Sequence, residues 1–396
     1  MNNNIRTHTF FNLGTQRALY EKVDGYINKE FYIKEYIEDI KNKYKLDRIY
    51  RFDMGQNNDG CYTGISSIIE RILKNNDISD YIKKYPEFVC RNLRKKIGNL
   101  HEVSAEWVLF SAGLEQMISM VASTFLELND RVLVTSPTFF LFEEYSKRMG
   151  AIPIYLPLHE NQDFSWTIDT FNEYKEILDK LHPKLIWIAN PNNPTGKVIS
   201  KDMISNIVKI ATEHYAFVII DEAYGEYTDP QNKVNSASSL LHDYNNLIVL
   251  RTFSKAYGLA NLRIGYALMS DLDIFKAMRI HSTNFPITQF SFDIAEMALN
   301  NLSHLEEVRF KNRVRKEKFV TELEKINTIS FIKSDTNILM VKHNSMTSNE
   351  LMSHLEKKGI ITSKVPGEND ELKSYIRITV GNDEDNNYFL QGIKCT

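Results

Sequence analysis

Cysteine is scarce in this sequence: three in 396 residues, Cys61, Cys90 and Cys395, far apart and odd in number. Such spacing spells neither a disulfide framework nor a paired-cysteine zinc site, and points to free thiols in a reducing compartment. Histidine gives no metal signature either. The ten residues are scattered, without an HExxH pair or a carboxylate at ligand spacing on an expected helix, so no metal is expected. An excess of positive charge is also missing: Lys and Arg number 48 against 51 Asp and Glu, a net charge of -3. No overall basic field draws nucleic acid. No stretch approaches the roughly 20 apolar residues that span a bilayer, and Met1 to Phe10 lacks the apolar run of a secretory signal. The expectation is a soluble, cytoplasmic chain with neither nucleic-acid nor membrane partners.

The composition that is present, 43% hydrophobic and 25% charged, suits a large buried core. The length suggests two domains, or one large domain with a smaller lobe. From Glu106 onward, short β-rich apolar runs alternate with helical periodicity, the signature of an α/β fold with a mostly parallel, buried sheet. The expected strands are Trp107–Phe110, Arg131–Thr135, Ile152–Leu156, Leu185–Ala189, Ala216–Ile220, Leu247–Leu250 and Ile264–Leu268. A helix opened by Ser200 would put Met203, Ile204, Ile207, Val208 and Ala211 on one face. After about Phe285 the texture changes to charged amphipathic helices, clearest over Asn301 to Ile326, with strands at Ile329–Lys342 and Tyr375–Val380. The residues before Arg51 share that texture. A large domain over residues 53–290 and a small α+β domain built from 1–52 and 291–396 follow.

Four segments carry chemistry. Leu185 to Gly196 runs an apolar strand into the amide-rich turn Asn190-Pro-Asn-Asn-Pro-Thr-Gly196, where α/β sheets place their sites, although a structural turn uses the same residues. Asp221 ends the strand Ala216–Ile220, with Tyr224 one turn on. A carboxylate there needs a cationic or hydrogen-bonding partner such as a protonated ring nitrogen, unless it caps a helix. In the third segment, Leu250 to Gly265, Lys255 follows a strand among small hydroxyl residues, as a Schiff-base nucleophile would. Thr252, Ser254 and Arg263 there have the groups to hold a phosphate dianion. The fourth, Leu109 to Gln116, turns through Gly113 into a helix whose first N–H groups would meet an anion, though glycine is common at such turns.

A lysine nucleophile, a buried carboxylate, phosphate donors and an Asn/Tyr pair in this order describe one cofactor. The wording NPNNPTG (190–196), DEAY (221–224), RTFSKAYGLANLRIGY (251–266) and YIRITVG (375–381) resembles the class I/II aminotransferases that use pyridoxal 5′-phosphate. Within them it is most similar to the histidinol-phosphate aminotransferase branch, over roughly Arg51 to Thr396. The resemblance implies an aspartate aminotransferase-like fold and a homodimer with shared sites. By that resemblance Lys255 forms the Schiff base with the cofactor and later moves the Cα proton, and Asp221 keeps the pyridine nitrogen protonated. Asn193 and Tyr224 bond the phenolic oxygen, and Phe139 stacks on the ring. Ala112, Gly113 and Leu114 join Thr252, Ser254 and Arg263 around the phosphate. Tyr85 reaches into the neighbouring subunit's site. Arg377 grips the substrate carboxylate as a fork, with Asn337 and Gly55 among the substrate-side positions.

The resemblance has departures. Asp53-Met-Gly-Gln-Asn-Asn-Asp-Gly60 replaces an Asn-rich stretch with Glu-Asn-Pro, and Phe139 stands where that branch commonly has Tyr. Ser363, followed by Lys364, stands where it usually presents a second arginine, and an ammonium is a poor replacement for a bidentate fork. Arg17 is a further source of charge. These departures favour another small amino or keto substrate, phosphorylated ones included, over histidinol phosphate itself. Aminotransfer with a partner such as glutamate/2-oxoglutarate is the first reading. A decarboxylase of a phosphorylated amino acid, of the serine- or threonine-phosphate kind, is the alternative. A cofactor-dependent transcription regulator would need a DNA-binding module, and no basic recognition helix precedes Arg51.

Overall fold

Apolar runs that end on Ser, Asp or Thr assemble into the core of the chain, for which the computed structural model describes residues 14–16, 34–75, 78–228, 236–367 and 370–394. In chain order the strands are β1 (Tyr50–Arg51), β2 (Val108–Ser111), β3 (Arg131–Ser136), β4 (Ile152–Pro157), β5 (Leu185–Ala189), β6 (Phe217–Asp221) and β7 (Leu247–Thr252), then β8 (Gly265–Leu268), β9 (Ile329–Ile332), β10 (Ile338–His343), β11 (Ile360–Ile361), β12 (Ser363–Lys364) and β13 (Tyr375–Thr379). The seven runs expected after Glu106 all enter one sheet, ordered β2-β8-β7-β6-β5-β3-β4. Only β8 runs against its neighbours. It can do so because residues 253–264 join it to β7 as a short connection, whereas the parallel neighbours need crossovers.

Both faces of this sheet are covered, which is why β5 and β7 read as continuous apolar runs. Ile186, Ile188, Val218, Ile220 and Val249 face one helical layer, and Leu185, Trp187, Ile219, Ile248 and Leu250 the other. The expected helix after Ser200 covers the first face as Lys201–Glu213. The Ser200 side chain accepts from Met203 N and Ile204, Ile207, Val208 and Ala211 are buried, with Met203 partly so. The helix Leu114–Phe125 covers the other.

A second sheet, β12-β13-β10-β9, is antiparallel throughout. The single strand expected over Ile329–Lys342 is broken here: Lys333 to Asn337 leave the sheet as a turn between β9 and β10. Polar Ser334, Asp335, Thr336 and Asn337 favour that turn, Ser334 Oγ accepting from Thr336 N at 3.0 Å. The long helix runs Leu302–Leu323, shorter at its end than the apolar pattern suggested. β1 pairs in parallel with β11, so residues about Tyr50 join the C-terminal part of the chain. No helix among the described residues is long and apolar enough to cross a membrane.

Candidate active site

Parallel pairing brings the ends of β5, β6 and β7 to one edge: Ala189 lies opposite Asp221, and Asp221 opposite Leu250. Segments dozens of residues apart therefore deliver Asn193, Asp221, Tyr224 and Lys255 to the same place, the carboxyl edge where α/β sheets bind ligands. A cavity of about 210 Å³ opens there, lined by Leu114, Phe139, Asn193, Asp221, Tyr224, Thr252, Ser254, Lys255, Arg263 and Arg377 among others.

Lys255 Nζ donates to Met54 O at 3.0 Å and lies 5.2 Å from the Tyr224 ring centroid. Asp221 accepts from Ala223 N at 2.9 Å. Burial pushes its carboxyl up to about 7, opposed by that bond and by Lys255. The carboxylate thus sits in a place that disfavours its own charge until a cation meets it. The Tyr224 hydroxyl is buried with no hydrogen-bond partner, an unsatisfied group of the kind that costs stability unless a ligand completes it.

At the other end lies an anion cradle. Gly113, at φ +78°, caps the helix Leu114–Phe125, and a Cβ there would lie 2.4 Å from Arg263 Nη2. Only glycine lets the guanidinium come this near to the helix start, where unpaired N–H groups favour negative charge. Thr252 Oγ1 accepts from Ser254 N at 3.1 Å, and both residues line the cavity. The N–H of Ala112 is taken by Gln116 Oε1 at 2.6 Å and that of Gly113 by Ser111 O at 2.8 Å. The free donors of this turn therefore begin at Leu114, one residue into the helix.

Arg377 reaches the cavity from β13. Nη1 donates to Asn193 Oδ1 at 3.0 Å, and Nη2 to Ser363 Oγ at 3.2 Å and to Asp53 O. Ser363, wholly buried, donates to Asp53 O at 2.7 Å. The side chain at the position where a second arginine was sought therefore supports the first.

Sequence comparison and structure comparison agree on this architecture. The family model for aminotransferase class I and II matches residues 51–393. The chain belongs to the class I and II aminotransferases. A histidinol-phosphate aminotransferase from Caldicellulosiruptor saccharolyticus is 32% identical over 358 residues, 90% of this chain and 94% of that protein. The crystal structure of the histidinol-phosphate aminotransferase from Clostridium acetobutylicum shares the fold at TM-score 0.77 and 23% identity, over 88% of this chain and 98% of that one. A decarboxylase from Sulfurospirillum multivorans shares it at TM-score 0.78 and 22% identity, over 97% and 98%. This aminotransferase is a pyridoxal-phosphate enzyme of the histidinol-phosphate aminotransferase-like branch. Its cavity fits that cofactor: the cradle suits a phosphate, the unsatisfied Tyr224 hydroxyl suits an oxygen acceptor, and buried Asp221 suits a protonated ring nitrogen.

Not every expected residue of the aminotransferase lines this cavity. Gly55 stands behind it, where a Cβ would lie 2.3 Å from the Tyr224 hydroxyl. Asn337 borders a separate small cleft and donates to Gln56 O at 3.0 Å. Tyr85 is 82% exposed and stacks on Phe285, with ring centroids 4.9 Å apart. Lys364 is half-buried on β12, and Arg17 lies outside the described residues. Among the described residues no group of three or more His, Cys, Asp or Glu could hold a metal ion.

Sequence reasoning missed Met54, Glu115 and Leu141, which also line the cavity. Glu115 stands directly after the Ala112–Leu114 turn and was within reach of a motif reading. Met54 and Leu141 carry no chemical signal. It also missed the buried ion cluster of Arg251 with Glu222 and Glu226, although Arg251 and Glu222 lie inside the quoted motifs.

Proposed function

We propose that this enzyme exchanges an amino group between a small amino acid or amine, phosphorylated forms included, and a keto acid such as 2-oxoglutarate, with glutamate as its amino form. The observation that carries the reading is the meeting of Lys255, Asp221, Tyr224 and the Arg263 cradle with Arg377 around one cavity. Pyridoxal phosphate, when bound, supplies an electron sink for the pair left when the Cα–H bond breaks.

In this reading Lys255 is the residue that holds the cofactor covalently, and its freed amine takes the proton from the substrate Cα. Asp221, as an anion, keeps the ring nitrogen protonated. Asn193 and Tyr224 donate to the phenolic oxygen, Phe139 stacks on the ring, and Leu114, Gly113, Ala112, Thr252, Ser254 and Arg263 surround the phosphate. Arg377 binds the substrate carboxylate as a fork and fixes which bond stands across the ring plane. Its guanidinium is already oriented by Asn193 and Ser363, which supports retention of the carboxylate and hence aminotransfer. Asn337 and Gly55 shape the wall behind the substrate.

The working form is read as a cytoplasmic homodimer in which Tyr85 of each chain enters the partner's site. Its large cofactor-binding domain spans residues 53–290, and its small domain takes 1–52 and 291–396. The exposed aromatic pair Tyr85 and Phe285 supports the dimer. The test is to add L-glutamate without a keto acceptor and follow the visible cofactor band. Loss of the band with one equivalent of 2-oxoglutarate is expected. Carbon dioxide released from serine phosphate or threonine phosphate, with the band unchanged, would replace the reading with a decarboxylase.

A further inference from the structure

Behind the cavity, three charged side chains are buried together. Arg251 on β7 is 1% exposed. Its Nη1 donates to Glu222 Oε2 at 2.6 Å and its Nη2 to Glu226 Oε1 at 2.7 Å. Glu222 also accepts from Ser236 Oγ at 2.8 Å and Ala237 N at 2.7 Å, and Arg309 Nη1 donates to the backbone carbonyl of Glu226 at 3.1 Å. One guanidinium thus bridges two carboxylates, and a second buried arginine, Arg309, holds the backbone beside them. Tyr266 faces Arg251 across the β7–β8 pair, its hydroxyl 2.9 Å from His101 Nε2, and Tyr257 lies within the same electrostatic surroundings.

None of the three lines the cavity, yet they bracket the residues that do. Asp221 precedes Glu222, and Tyr224 lies midway between Glu222 and Glu226. An apolar cluster of equal volume would hold the fold as well or better, because desolvating charges is costly. What a planar guanidinium adds is geometry: two carboxylates on one fork cannot turn independently. The backbone between them is a tight turn, with Gly225 N on Glu222 O at 3.0 Å and Tyr227 N on Tyr224 O at 3.1 Å. We propose that Arg251 is a positioning residue, whose fork on Glu222 and Glu226 fixes the turn that carries Tyr224 and so aims its hydroxyl into the cavity.

The inference rests on the proposed role of Tyr224 as a donor to the cofactor's phenolic oxygen. That donor stabilises the form of the bound cofactor that has given up its proton, so a misaimed hydroxyl raises the pH midpoint of the visible band. Arg251→Lys keeps the charge and loses the fork, while Glu226→Gln keeps the shape and loses half the ion pair. For each reconstituted holoenzyme the band is titrated with pH, and for each apoprotein its affinity for pyridoxal phosphate is measured. The expected result is a midpoint raised by about one unit and affinity weakened by about tenfold, with circular dichroism unchanged.

Tyr224→Phe sets the ceiling. In that background Arg251→Lys should add nothing to the midpoint shift, since the two act through one hydroxyl. Folded Arg251→Lys and Glu226→Gln proteins with wild-type midpoint and affinity would overturn the inference, as would a full additional shift in the Tyr224→Phe background. If Arg251→Lys fails to fold, Glu226→Gln decides by the same readings. A wild-type protein that binds pyridoxal phosphate without any titrating band would instead defeat the reading of the site itself.

Discussion

Arg377 Nη1 donates to Asn193 Oδ1 at 3.0 Å, joining β13 of the small sheet to the turn after β5 of the central one. The residue proposed to grip the substrate thus touches a residue proposed to touch the cofactor, so the substrate's orientation is referred directly to the ring.

Arg377→Lys keeps the charge but cannot bridge Asn193, Ser363 and a carboxylate at once. A charge-assisted hydrogen bond of about 1.5–3 kcal/mol is at stake. The expected result is a KM for both amino and keto substrates raised about 10- to 100-fold, with the cofactor band unchanged. Steady-state kinetics for glutamate and 2-oxoglutarate check it.

Lys255→Ala removes the amine proposed to hold the cofactor and to move the proton. Borohydride reduction should no longer label the chain, and kcat should fall by about 10⁴-fold. Mass spectrometry of the reduced protein decides; a retained reducible adduct removes Lys255 from the role.

Gly113→Ala adds a Cβ 2.4 Å from Arg263 Nη2 at a backbone φ of +78°, so the guanidinium must leave the helix start. Loss of one charge-assisted contact to phosphate predicts cofactor affinity weaker by about tenfold or more. Fluorescence titration of the apoprotein with pyridoxal phosphate measures it.

Asp221 gives the cofactor-free protein a pH dependence of definite sign. Its folded carboxyl is pushed up to about 7 from the ordinary 3.8, mainly by burial. Between those values the folded chain holds a proton that the unfolded chain has released. This contribution to stability therefore falls as pH rises through the window and levels off above about 7. Asp221→Asn should remove it, so the urea midpoint of the apo variant changes less than that of the wild type between about pH 5 and pH 8. An equal change in both proteins would contradict the assignment.

The sequence by itself determined what depends on neighbours along the chain. Apolar runs closed by Asn, Asp, Gly and Pro marked all seven strands of the central sheet, because a buried parallel strand needs no partner to be recognised as apolar on both faces. Errors stayed at the ends, where Trp107 closes a turn of 3₁₀ helix and β2 begins at Val108. The motif residues Asn193, Asp221, Tyr224, Lys255 and Arg263 were legible one by one, since each follows its strand within a few positions.

Only the tertiary structure decided which of them meet, and what stands behind them. The order β7-β6-β5 puts three strand ends side by side, and no local pattern encodes that order. The pairing of Tyr50 with Ile360 closes a loop of about three hundred residues, and the bond from Lys255 to Met54 O one of about two hundred. Arg251, Glu222 and Glu226 read as ordinary charged letters until β6 and β7 pair and leave them buried face to face. Helix period, strand alternation and capping are short-range effects written in adjacent residues. Side-chain encounters across the sheet depend on burying the whole core at once, and that is settled by topology.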